Sequence, residues 1–147
     1  MCATYPGITL PQRIFIAEAS TAAALALLDH SMHYAIDDMT ENGRDEDEAH
    51  KEAQALYALE NLSAEAAYTV VFRDVARFVM DTWKVVRKYP YHDVGRAFLH
   101  SRNGGDNGFG NGDFADCGEY LRREAERYLE WEIHPGGQHL IIATTPE

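Results

Sequence analysis

Basic residues are scarce in this chain. Thirteen Lys and Arg face 24 Asp and Glu over 147 residues, a formal net charge of -11 at pH 7. Proteins that grip nucleic acid neutralise phosphates with clustered cations. Here the bases are not segregated: residues 1–89 carry 8 against 14 acids, and residues 90–147 carry 5 against 10. No direct nucleic-acid binding is expected, and no anionic membrane surface, for the same reason. Cysteine is nearly absent. Cys2 and Cys117 make neither a disulfide framework nor a zinc pattern, so reduced thiols and a cytoplasmic setting are expected. Long hydrophobic runs are also missing. The apolar stretch Ile14 to Leu28 spans 15 residues but contains Glu18 and Ser20, too short and too polar to cross a bilayer. Only Arg13 precedes it, so it does not read as a signal peptide. The phosphate-loop pattern GxxxxGK[ST] does not occur.

What is present suits an ordinary globular chain. Apolar residues make up 46% and charged residues 25%, and the length fits a single domain over residues 1–147. Residues 1–11, with Pro6, Gly7 and Pro11, read as an extended lead-in. From Pro11, a first-turn residue, Ile14, Ala17, Thr21, Leu25, Leu28, Met32 and Ile36 follow the spacing of a helix with one buried face. Its alanine run Ala22–Ala24 leaves room for a close neighbour, which makes homo-oligomerisation through this helix one expectation. Residues 37–48, seven acids and one base around Asn42-Gly43, read as an acidic, solvated connection or a helix end.

Ala49 to Leu62 is helix-prone, with Ala55, Leu56, Leu59 and Leu62 as its apolar positions. Ser63 then caps the strongest predicted helix, Ala64 to Lys88, whose inner face is Ala67, Val71, Val75, Phe78, Val79 and Val86, and Pro90 stops it. Shorter helices are predicted at Asp93–Ser101 and Glu119–Leu129, separated by a glycine-rich loop over 102–116. Residues 131–143 read as a hairpin, Trp131–His134 and Gln138–Ala143 joined through Pro135-Gly136-Gly137. The expected class is α+β: a helix-dominated single domain with a small C-terminal β-hairpin.

The loop holds Gly104, Gly105, Gly108, Gly110 and Gly112, with Gly118 just beyond it. Three uses compete for it. Anion cradling by backbone amides would have Arg102 as its one cation, opposed by Asp106 and Asp113. Calcium would take oxygens from Asp106, Asn107, Asn111, Asp113 and Asp116, but an EF-hand frame from Asp106 puts Cys117 where the closing glutamate belongs. The third use is structural, a surface crossing that tucks Phe109 and Phe114 into the core.

The stretch "GRAFLHSRNGGDNGF", Gly95 to Phe109, resembles the segment "GHDFWLTRNGHGAGFW" that marks a family of small uncharacterised bacteriophage proteins. Gly95, Phe98, Ser101 (for Thr), Arg102, Asn103, Gly104, Gly108 and Phe109 agree with it. The similarity extends over about residues 55–143, through "YALENLSAEA" with Asp74 and Phe78, and through the C-terminal strand–turn–strand. Gly105 stands where the family has His, and Gly110-Asn111 where it has Trp-Asp, so no role of those residues carries over. The resemblance implies a phage setting and a host cytoplasm, without a mechanism.

Reactive centres are not assembled in the linear pattern. His30 and His33 share a helical face near Asp29, Asp37 and Asp38, and His134 and His139 flank a turn, yet neither pair has an identifiable third ligand, so no metal is assigned. Cys117 precedes a helix but is flanked by Asp116 and Glu119, which oppose a thiolate. No cofactor and no catalytic residue is expected, and the chain reads as a binding protein more than an enzyme. Asp37, Asp38, Asp45, Glu46, Asp47 and Glu48, with Glu41, would form an acidic patch for the basic surface of a host nucleic-acid-handling or defence protein. The alternative is a small-molecule or nucleotide binder, or an enzyme, built on the loop. Arg102 would then be the anion contact and Phe109 a stacking platform, with Asn103, Gly104 and Gly108 beside them.

Overall fold

A capping box starts the longest element. In the computed structural model, which describes residues 7–63, 70–104, 108–111, 113–136 and 139–144, Thr9 accepts from the Gln12 amide while the Gln12 side chain accepts from the Thr9 amide. With Pro11 in the first turn, this launches helix α1, Leu10–Glu41. Its 32 residues reach about 48 Å at the standard rise. After a short turn Asp45 caps α2, Glu46–Leu56, its carboxylate accepting from the Glu48 amide at 3.2 Å. The acidic connection expected over 37–48 is thus mostly helical. α1 runs on through Glu41, and Glu46, Asp47 and Glu48 occupy the first turn of α2, where the helix dipole favours negative charge.

The remaining helices are α3 (Arg73–Asp81), α4 (Trp83–Val86), α5 (Tyr91–Arg102) and α6 (Gly118–Glu126). The long helix expected from Ala64 to Lys88 is interrupted at Thr82, whose hydroxyl donates to the Phe78 carbonyl at 2.7 Å. Its start, residues 64–69 with Ala67, lies outside the described residues. Ser63 itself donates its amide to the Leu140 carbonyl. Strands β1 (Trp131–Gly136) and β2 (His139–Thr144) pair antiparallel, from Trp131 opposite Thr144 to Gly136 opposite His139. Pro135 and Gly136 belong to β1, and the link at 137–138 lies outside the described residues. Among the described residues the chain is helix-dominated, and no helix is long and apolar enough to cross a membrane.

α1 is the spine, packing on α5 above all and also on α2, α3 and β1. The face it buries coincides with the one its apolar spacing suggested only in the second half, at Leu28 and Ile36, and departs from it before that. Phe15, Ile16, Ala19, Ala23, Ala24, Leu27 and Leu28 are buried, whereas Ile14 is 51% exposed and Leu25 47%. Both faces carry apolar side chains, so periodicity alone could not choose between them. Contact with α5 decides. A Cβ on Gly95 would lie 2.1 Å from the Ala19 carbonyl oxygen, so α5 crosses α1 at backbone contact. Ala19, Ala23 and Ala24 of α1 are used inside the molecule.

α2 is also rotated from expectation. It ends at Leu56, short of the expected Leu62, and buries Ala49 and Ala53; of the expected apolar positions Leu56 and, in the turn beyond, Leu59 are exposed while Leu62 is buried. These alanines join Ile36, Met32, Met39 and Tyr57 in a small cluster apart from the main core. The main core is built on Phe78, Val79, Phe98, Leu99, Phe109, Leu121 and Trp131, and the inner face expected of Val71, Val75, Phe78, Val79 and Val86 is buried there.

Candidate functional site

Of the residues named in the glycine-loop motif, Arg102, Gly108 and Phe109 are buried, Asn103 is half-buried and Gly104 is exposed. Arg102 ends α5 with its side chain 1% exposed. Its guanidinium donates from Nη1 to Asp74 at 3.0 Å and from Nε to the Leu129 carbonyl at 2.9 Å, with Nη2 on the same carbonyl. It lies 3.9 Å from the Trp131 ring centre, and the rings of Phe98 and Tyr128 flank it at 5.2 and 5.1 Å. Asp74, on α3, also accepts from Arg73 at 3.1 Å. Burial is the chief influence on Arg102, lowering its pKa to about 10, while Asp74 acts in the opposite sense. The same surroundings push the Tyr128 phenol up to about 12, again chiefly by burial.

Asn103 continues this joint. Its side chain donates to the Trp131 carbonyl at 3.1 Å and accepts from the Trp131 amide at 2.9 Å, so it copies a β-ladder partner for the first residue of β1. Gly104 follows at φ +76°, a conformation that suits glycine at the end of a helix. Gly108 has its Cα against Ser101, where an added Cβ would meet Ser101 Oγ at 2.2 Å. That hydroxyl accepts from the Phe109 amide at 2.9 Å. Phe109 is 1% exposed and stacks on Phe78, with Phe114 edge-on to it. Arg102 and Phe109 are thus both parts of the interior, Arg102 already held by Asp74 and the Leu129 carbonyl. The structural use of the loop, tucking Phe109 and Phe114 into the core, is what is observed. Asp106 and Asn107 lie outside the described residues, and Asp113 and Asp116 are exposed.

The acidic residues behave differently. Asp37, Asp38, Glu41, Asp45, Glu46, Asp47 and Glu48 are all exposed, at the end of the molecule where α1 turns into α2. Among the described residues Arg44 is the one cation in that run, and it pairs with Glu52.

Tertiary packing adds a histidine that spacing could not supply. His100 of α5 faces His30 of α1, their ring centres 6.3 Å apart, at a cleft of about 540 Å³ that Asp29, His33, Asp93 and Arg96 also line. Burial lowers the His100 pKa, and His30 and Arg96 push it further, with Asp29 opposing. His33 Nδ1 sits 2.8 Å from the Asp29 carbonyl. Among the described residues no three His, Cys, Asp or Glu side chains converge as metal ligands. The side chains of His134 and His139 lie outside the described part. Cys117 is half-buried against the core in the turn before α6.

A second groove, of about 620 Å³, runs between α1 and β1. Trp131 lines it, 2% exposed, and its indole Nε1 has no hydrogen-bond partner among the described residues. A buried donor left in that state costs about 1–3 kcal/mol. Nothing in the sequence pattern marks this atom, because its isolation follows from how α5 and β1 meet. No family model, curated protein or solved structure matches the chain.

Proposed function

We propose that this chain is a phage-encoded accessory protein that acts by docking, its acidic α1–α2 end binding a basic surface on a host nucleic-acid-handling or defence protein. The observation that carries this reading is the exposure of all seven acids of residues 37–48 at one end of the molecule. With Arg44 the one base, that end holds more than half of the chain's formal excess of negative charge. Arrays of carboxylates compete with nucleic acid for cationic grooves, and such binding is steeply salt-dependent. The competing reading, a nucleotide or small-molecule site around Arg102, loses its anion contact to Asp74 and the Leu129 carbonyl.

The test is capture of host proteins on the immobilised chain, with DNA as competitor. Partners should be retained at about 50 mM salt, released by about 200 mM, and displaced by double-stranded DNA. A variant with Asp37, Asp38, Asp45 and Asp47 changed to Asn, and Glu41, Glu46 and Glu48 to Gln, should lose them; Asn at 45 keeps the cap of α2. Capture that is indifferent to salt and to these changes overturns the proposal.

A further inference from the structure

α1 keeps one face uncovered. Leu10, Ile14, Ala17, Thr21 and Leu25 are all exposed, and their spacing stacks them in a single stripe along the N-terminal half of the helix. Leu10 is 69% exposed and Ile14 51%, an apolar surface of the kind that marks contact sites. The same end of the molecule gathers bases. Phe15, next to Ile14, meets Trp83 of α4 and Tyr91 of α5 edge-on, with ring centres 5.5 and 6.0 Å apart. That contact sets α4 beside the start of α1. Lys84, Arg87 and Lys88 come with it and join Arg13. All four are exposed and carry no ion pair among the described residues. Glu18 and Asp81 are the acids within residues 10–25 and 81–91, so positive charge prevails there in a chain of net charge -11.

The other end of α1 offers the complement. α2 packs beside Ile36 through Ala49 and Ala53. Glu48, Glu52 and Leu56, spaced by four, form an exposed row on it, with Leu59 and Glu60 just beyond. Residues 37–60 carry nine acids against two bases. Ile14 and Ile36 are about 33 Å apart along α1 at the standard rise, so the two surfaces cannot meet within one molecule.

We propose that the open stripe of α1 is covered by α2 of a second copy, head to tail. Leu56 and Leu59 lie on Leu10 and Ile14, while Glu48 and Glu60 face Arg13 and the α4 bases; Glu52 is already held by Arg44. Charge selects this occupant over a second α1 stripe. The flanks of that stripe carry one base, Arg13, and one acid, Glu18, and offer no match to α4. Because the two surfaces differ, each copy keeps one of them free, and the contact repeats into open chains or rings. An α2 seated on another copy is closed to a basic partner. The match uses only this chain's own exposed groups and stands whether or not a host protein binds the acidic end.

Sedimentation equilibrium of the full chain at pH 7 tests this. At about 0.15 M salt the Debye length is about 8 Å, which screens repulsion between distant carboxylates and leaves the groups in contact. The weight-average mass should climb with concentration past that of two chains. One variant, Ile14→Gln with Lys84→Glu and Lys88→Glu, blocks the α1 side. The other, Glu48→Gln with Leu56→Gln and Glu60→Gln, blocks the α2 side. Each should weaken association at least about ten-fold, through loss of facing opposite charges. Mixed in equal amounts, the two should form pairs that stop at two chains, because each has kept the surface the other has lost. That rescue also shows both variants to be folded. A parent chain still monomeric at about 1 mM, the weak end of the affinity range, overturns the inference. So does a mixture that associates no better than either variant alone. Assembly that the α1-side changes abolish and the α2-side changes leave intact also overturns it, and identifies two stripes meeting instead.

Discussion

At the scale of single residues, Arg102 holds together more of the molecule than any other polar side chain described. It ties the end of α5 to α3 through Asp74 and to the approach of β1 through Leu129. Removing one member of a buried ion pair costs about 3–5 kcal/mol, and without Arg102 the Asp74 carboxylate would keep only the half-exposed Arg73. Arg102→Met should therefore lose about that much in urea denaturation, and Arg102→Lys most of it, because an ammonium cannot reproduce the forked guanidinium geometry. An Arg102→Met chain as stable as the parent would show that the pair contributes little. His100 sets a pH dependence. Its folded-state pKa lies below its ordinary value of 6.5, so the unfolded chain takes up the proton first as pH falls. Its contribution is thus favourable above pH 6.5 and is lost as pH drops from there toward the lowered folded value. His100→Gln should flatten the stability profile in that window. A profile unchanged by the substitution would assign the dependence elsewhere.

At the scale of elements, α1 has two apolar faces and the fold uses one. Ile16→Ala and Leu27→Ala remove side chains at 0% and 1% exposure and should each cost about 2–5 kcal/mol. Ile14→Gln and Leu25→Gln lie on the open face and should stay within about 0.5 kcal/mol. Denaturation of the four variants separates the faces, and the reverse ranking would restore the stripe that spacing suggested. The same comparison explains how much of α1 was legible. Its start could be read from Pro11 and its length from sustained helical character. The choice of face could not be read, because it depends on Gly95 letting α5 reach the Ala19 backbone. In α2 the legible signal misled. Leu56 is larger than Ala49 and Ala53, yet it is the alanines that pack beside Ile36, Met32 and Met39, and Leu56 stays exposed.

At the scale of the whole molecule, net charge and the open face of α1 oppose one another. Leu10, Ile14 and Leu25 stay exposed along one side of the helix, and a charge of -11 opposes contact between copies at neutral pH. Near the sequence pI of about 5.0 that repulsion vanishes. Light scattering should rise there, and Ile14→Gln with Leu25→Gln should suppress the rise. Scattering that peaks equally in the double variant would place the contact elsewhere. The acidic end is legible in sequence because a stretch so dense in carboxylates, with Arg44 its one base, has nowhere to go but water.

Local chemistry in the chain determined that α1 begins near Pro11, that the chain is mostly helical, and that the acids of residues 37–48 stay solvated. These depend on neighbours within a turn or two, which the sequence displays directly. Only the tertiary structure decided that the Arg102–Asn103–Gly104 and Gly108–Phe109 motif is an internal joint, that His100 meets His30, and that Trp131 is left with an unmet donor. Each of these joins residues far apart in the chain, and whether a polar group faces solvent, a partner or a void is settled only when distant elements pack.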